Sequence, residues 1–122
     1  MSRAVQTEKR APITLVDNIT FNNVTTTYTS NAVDAQAYRK FILNVHKVVA
    51  NTPTSLEIRV QMSPDNVNWF NYVREPFLGT AGTEDEAIDG DAVARFIRLY
   101  VVATGTTAVN TFTLTVTIQL MA

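Results

Sequence analysis

The chain has 122 residues, no cysteine, 10 Lys and Arg against 11 Asp and Glu, and a formal net charge of -1 at pH 7. That length suits one domain burying about two-thirds of its unfolded-chain surface, so a core can form without covalent staples. The charge balance offers no bulk field to attract nucleic acid or an anionic membrane, the missing thiols exclude disulfides and cysteine-type metal sites, and no apolar run approaches the ~18 residues of a membrane-spanning helix.

Residues 1–12 read as a polar N-terminal arm carrying Arg3, Lys9 and Arg10 against Glu8 and ending at Pro12. The arm has no apolar core of the signal-peptide kind; it is expected either to fray, as termini do, or to dock on a neighbouring subunit. Ile13, Leu15, Ile19 and Phe21 mark a first strand pair broken near Asp17-Asn18, and a threonine-rich stretch continues as a strand around Tyr28. Ser30-Asn31 is turn material, and residues 31–37 read as a loop. Residues 38–49 form a strong strand: Phe41, Leu43, Val45 and Val49 share one face, and Ile42, Asn44, His46 and Val48 the other. Asn51-Thr52-Pro53-Thr54 turns the chain.

The stretch 55–73 organises the rest. Leu56, Ile58, Val60 and Met62 alternate with Glu57, Arg59 and Gln61, the period-two signature of a half-buried strand. Ser63-Pro64-Asp65-Asn66 follows, with Pro64 presetting a turn dihedral and Asn66 able to take positive φ. Trp69, Phe70, Tyr72 and Val73 suit a pleated return strand, which Pro76 is expected to close because it cannot donate to a ladder. Residues 77–90, with three glycines and the acids Glu84, Asp85, Glu86 and Asp89, read as a long connection with a short strand near Ala87-Ile88. In the strand at 94–104, Ile97, Leu99 and Val101 oppose Phe96, Arg98, Tyr100 and Val102, so its second face is expected to be covered too. The stretch 110–120 alternates most cleanly: Phe112, Leu114, Val116, Ile118 and Leu120 point in and the threonines point out.

No segment repeats apolar residues at helical spacing over a useful length. About eight strands with regular turns predict an all-β fold: a two-sheet antiparallel β-sandwich, jelly-roll or immunoglobulin-like, over residues 13–122 behind the arm of residues 1–12.

Chemistry is sparse. His46 is the single histidine. Ser63, His46 and Asp65 can be drawn as a triad on paper, but no nucleophile elbow supports it. The acidic run at 83–91 lacks the spacing of the helix-loop-helix calcium motif; it reads as a solvated loop or as a contact for a neighbour's Arg3, Lys9 and Arg10. Trp69, Phe70, Tyr72 and Arg74 could form a stacking stripe for single strands, although core packing of Trp69 is the preferred reading. No catalytic residue, metal or cofactor is expected, and neither nucleic acid nor membrane is an expected partner.

Two stretches carry a resemblance. Met62 to Trp69, MSPDNVNW, resembles a Ser-x-Asp-x-x-x-Trp turn of β-sandwich modules, with Asn66 where glycine is usual; Ala94 to Leu99, ARFIRL, resembles the Ala-Arg-Tyr-x-Arg strand that follows it there. Discoidin-like and carbohydrate-binding sandwiches share this pattern, as do small virion proteins of tailed bacteriophages, and the likeness covers about residues 41–120. A short, cysteine-free, threonine-rich domain with an arm resembles the phage group better. The resemblance implies a non-enzymatic virion structural protein made in the host cytoplasm, foremost a capsid decoration or cementing protein. Its partners would be capsid or other virion proteins, and it would be a homo-oligomer, a trimer first. The implied contacts are Arg3, Lys9 and Arg10 in the arm, Phe77, Leu78, Glu84, Asp85 and Glu86 in the connection, and Phe96 and Tyr100 on the second face. Asp65, Asn66 and Trp69 would serve the turn and the core. The alternatives are a neck or tail virion protein, or a carbohydrate-binding module using Trp69 and Tyr72.

Overall fold

Alternating side chains give most segments one buried and one wetter face, and nine strands result among the described residues. A computed structural model describes residues 11–122. Its strands are β1 (Ile13–Phe21), β2 (Thr27–Thr29), β3 (Val33–Asp34), β4 (Lys40–Ala50), β5 (Ser55–Ser63), β6 (Phe70–Leu78), β7 (Gly82–Asp91), β8 (Phe96–Thr104) and β9 (Thr111–Met121). The described residues contain no helix. Arg3, Lys9 and Arg10 lie outside the described residues.

The strands make two antiparallel sheets, ordered β1-β9-β4-β7 and β2-β8-β5-β6, with the two-residue β3 also paired to β8. The pairs β1·β9, β2·β8, β4·β7 and β5·β6 nest inside one another, so the chain is one long hairpin rolled into two layers. That order is a jelly roll, which settles the choice between the two expected sandwich types. The core between the layers is the alternating set: Phe41, Leu43 and Val45 of β4, Leu56, Ile58, Val60 and Met62 of β5, Ile97, Leu99 and Val101 of β8, and Phe112 to Leu120 of β9. Burying one such side chain fully contributes about 1.5–3 kcal/mol.

Four segments differ from expectation, one being the loop at 31–37, which holds the short strand β3 (Val33–Asp34) paired to β8. The first strand pair is a single strand, β1, whose register shifts between Thr14 and Val16 and again before Ile19, with Asn18 at φ 53°. The irregularity lets the adjacent Leu15 and Val16 both reach the core. The long connection is largely strand: β6 runs through Pro76 to Leu78, and β7 begins at Gly82. Both are edge strands, where proline and charge are tolerated because one side of the backbone has no ladder to satisfy. The acids of β7 face bases on β4, with Glu84 opposite Lys47, Asp85 opposite His46 and Asp91 opposite Lys40. The crossover between these edges needs Gly79: a Cβ there would sit 1.6 Å from the Pro53 carbonyl oxygen, while the Gly79 N–H donates to the Thr54 carbonyl at 3.1 Å.

The turn before β6 is built around Asp65. Its Oδ1 accepts the N–H groups of Asn68 (2.8 Å) and Val67 (2.9 Å), its Oδ2 accepts Asn68 Nδ2 (2.8 Å), and Ser63 Oγ donates to Oδ1 (2.9 Å). Asn66 takes φ 63° and donates its N–H to Ser63 Oγ at 2.9 Å. These donors, the Asn68 N–H first, hold the Asp65 carboxyl far below its ordinary range. A lowered folded pKa stabilises the fold fully above the ordinary carboxylate pKa, and that contribution is lost as pH falls towards the lowered one. Asp65→Ala should therefore melt below the parent at pH 7, and the gap should close as pH drops below about 4. Melting curves from pH 7 to pH 2 check this; a gap independent of pH would remove the carboxylate's role.

Candidate functional site

The outer face of the β2-β8-β5-β6 sheet gathers aromatic and cationic groups. Phe96, Arg98, Tyr100 and Val102 alternate outward on β8 and are half-buried. Three guanidinium groups on this side lie over rings: Arg98 over Trp69 at 4.1 Å, Arg95 over Phe96 at 4.9 Å and Arg59 over Tyr100 at 5.6 Å. Such contacts contribute about 0.5–1 kcal/mol each at exposed sites. Side-chain bonds fix them further: Arg98 Nε donates to Gln61 Oε1 at 2.9 Å, Gln61 Nε2 donates to Asn71 Oδ1 at 3.0 Å, and Arg95 pairs with Asp34 at 3.0 Å. Arg59 pairs with Glu57. Arg59 and Arg74 are direct cross-strand partners, a like-charge juxtaposition that raises the positive character of the face. Phe70 (46% exposed) and Leu78 (75%) stand at the two ends of β6.

Trp69 does not plug the core. Met62 and Ile97, paired across β5 and β8 and both fully buried, already occupy the inner face at this end. The indole is left half-buried just before β6, beneath Arg98.

The second feature is a cleft of about 520 Å³ between the edges of the two sheets, lined by Lys47, Glu75, Phe77, Glu84 and Glu86 among others. Pairing puts Glu84 and Glu86 on the same side of their sheet as Lys47 and Val45, facing the sandwich interior. Lys47 is buried at 3% side-chain exposure, with Nζ 3.1 Å from Glu84 Oε1 and 4.6 Å from the centre of the Phe77 ring. Sequence reasoning missed Lys47, although position 47 lies in step with Phe41, Leu43, Val45 and Val49.

The expected contact residues separate into two regions. Phe96 and Tyr100 lie on the outer face of one sheet, while Glu84, Asp85 and Glu86 lie on the edge of the other. Leu78 is exposed, but Phe77 is 6% exposed and points inward, so it offers no surface. The paper triad does not form: Ser63 is buried and bonded to Asp65, while His46 sits on the other sheet with Nδ1 2.7 Å from Asp85 Oδ1. Among the described residues, no group of three or more His, Asp or Glu side chains is placed to hold a metal.

No protein-family model matches the sequence, and no curated protein matches it. Solved structures are similar in fold. The SPBc2 prophage-derived protein YomS superposes with a TM-score of 0.57 at 16% identity, covering 94% of both chains. The PBSX exported protein XepA gives 0.64 at 12% identity, over 90% of this chain and 37% of its own. A CBM4 structure gives 0.56 at 13% identity, over 78% of this chain and 61% of its own. The chain thus spans well under half of XepA and about three-fifths of the CBM4 chain. At these identities the shared property is the β-sandwich fold.

Proposed function

We propose that the chain is a non-enzymatic structural protein of a phage particle, and within that class a decoration or cementing protein on an assembled head. The observation that carries this reading is where the distinctive side chains sit. Among the described residues they form an outer face of arginine-on-aromatic stacks and an acidic sheet edge. The likeness of fold to a prophage-derived protein over 94% of both chains agrees with it. Partners are capsid or other virion proteins, and the chain acts as a homo-oligomer with a trimer favoured. A stable interface of this kind buries about 1,000 Å² or more, and repetition around a symmetric lattice turns weak contacts into avidity. The test is to tag the chain in its source cell, induce particle formation and label purified particles by immunogold. Label on heads is expected; label at the neck or tail selects that location instead, and unlabelled particles overturn the virion reading.

A second reading, a carbohydrate-binding module, is favoured by one observation: Trp69 is half-buried outside the core, beneath Arg98, which is bonded to Gln61 and through it to Asn71. Trp69 is the single tryptophan, so titration with soluble glycans reads that surface directly. A saturable change in its emission supports this reading; a flat response removes it.

A further inference from the structure

The edges of the two sheets are guarded by different devices. β1 is interrupted by register shifts about Asn18, β6 has a register shift opposite Val60 and Gln61 and contains Pro76, and β2 and β3 are three and two residues long. β7 has none of these. Its ten residues keep unbroken register with β4, and among the described residues no strand pairs its other side. Its guard is charge: Glu84, Asp85, Glu86, Asp89 and Asp91. Lys40, His46 and Lys47 answer three of these acids, leaving Glu86 and Asp89 without an ion pair among the described residues. A charge guard repels another β7 and matches a basic strand.

Building on the reading of the chain as a self-assembling particle protein, we propose that β7 accepts residues 3–10 of a second copy as an added antiparallel strand. The register places Arg3 opposite Asp91, Lys9 opposite Asp85 and Arg10 opposite Glu84, so every base of the segment meets an acid. The bases thus meet the acids already paired within the sheet, while the two acids without an ion pair gain no base: Glu86 meets Glu8 and Asp89 meets Val5. The donor must be another molecule. Ile13 lies on β1, three strands from β7 in the order β1-β9-β4-β7. That separation is about 14 Å, while the three peptide links from Arg10 to Ile13 reach at most about 11 Å. Main-chain hydrogen bonds would supply the affinity and the charges the register, the usual division in strand addition.

The cysteine-free chain makes the test clean. Thr7→Cys and Ala87→Cys, opposite each other in this register, are introduced into separate chains, mixed and oxidised with no phage particle present. A mixed disulfide dimer in excess over both homodimers is expected. Thr7→Cys with Thr83→Cys, about 13 Å out of register, should give only background; equal yields from the two pairs overturn the proposal. Glu8→Lys should tighten self-association up to about fivefold in sedimentation, and Lys9→Glu/Arg10→Glu should abolish it; no response to either also overturns it. A monomer that still labels particles sinks strand addition alone, while an intact cross-link with unlabelled particles sinks the virion reading alone.

Discussion

Phe41→Ala is expected to destabilise the fold by about 4 kcal/mol, seen as a melting temperature lower by roughly 15 °C. Phe41 is fully buried on β4, and its ring lies over Gly90 of β7. A Cβ built on Gly90 would approach the Phe41 Cζ to 2.9 Å and would stand 3.5 Å from Tyr72 Cε2, so one ring fills the space that the glycine leaves and meets the other layer there. Truncation opens a cavity that a glycine has no side chain to collapse into, which places the loss toward the upper part of the usual range. The same geometry predicts non-additivity. Gly90→Ala should be harmful alone, by about 1–3 kcal/mol of overpacking, and nearly harmless in a Phe41→Leu background, where the ring has gone. Urea unfolding of the parent and the four variants measures both effects, and a Phe41→Ala loss below about 1 kcal/mol would mean the ring does not anchor β7.

The inner layer was readable because burial on one side of a strand imposes period two, and Phe112, Leu114, Val116, Ile118 and Leu120 obey it without exception. The jelly-roll order was not readable. It depends on which distant strands zip together, as when β1 meets β9 across almost the whole chain, and no local pattern encodes that. β7 escaped recognition for a related reason. An edge strand turns little toward the core, and here Ile88 alone is buried among ten residues, so the acids dominated the reading. Their partners sit on β4, more than thirty residues earlier, where charge complementarity shows only once the two strands are aligned. Trp69 misled in the opposite direction. Its size argues for burial, but Met62 and Ile97 already fill that end of the core, and the ring was left to stack with Arg98 on the outer face. Of the candidate surface, Phe96 and Tyr100 were legible from alternation alone; the groups that fix it, Gln61, Asn71 and Arg59, became significant only through cross-strand neighbours.

At position 47 pattern and chemistry disagree, and substitutions on the two sides of its ion pair should shift stability in opposite directions. The strand period assigns Lys47 to the interior, and the fold complies: its side chain is 3% exposed, with the ammonium held by Glu84 and the Phe77 ring. Glu84→Gln removes the carboxylate and leaves a desolvated charge facing a ring and a neutral amide. Breaking a fully buried pair costs about 3–5 kcal/mol. Glu84 is 53% exposed, so water can replace part of what is lost, and about 2 kcal/mol is expected here. Lys47→Met keeps the aliphatic stem, deletes the desolvated charge and returns Glu84 to solvent, so stability should hold or rise by about 1 kcal/mol. In the double variant nothing is stranded, and it should match Lys47→Met instead of summing the two single effects. Urea, which leaves ionic strength unchanged, is the denaturant to use. A harmless Glu84→Gln beside a costly Lys47→Met would show that water, not the carboxylate, satisfies the ammonium, and that the mouth of the cleft is wet. The expected outcome makes the pair a clamp between β4 and the edge strand: Lys47 draws Glu84 inward, away from the outer edge. The same clamp makes a prediction for strand addition. Lys47→Met frees Glu84 for the neighbour's Arg10, so self-association should strengthen in the variant in which the internal pair is gone.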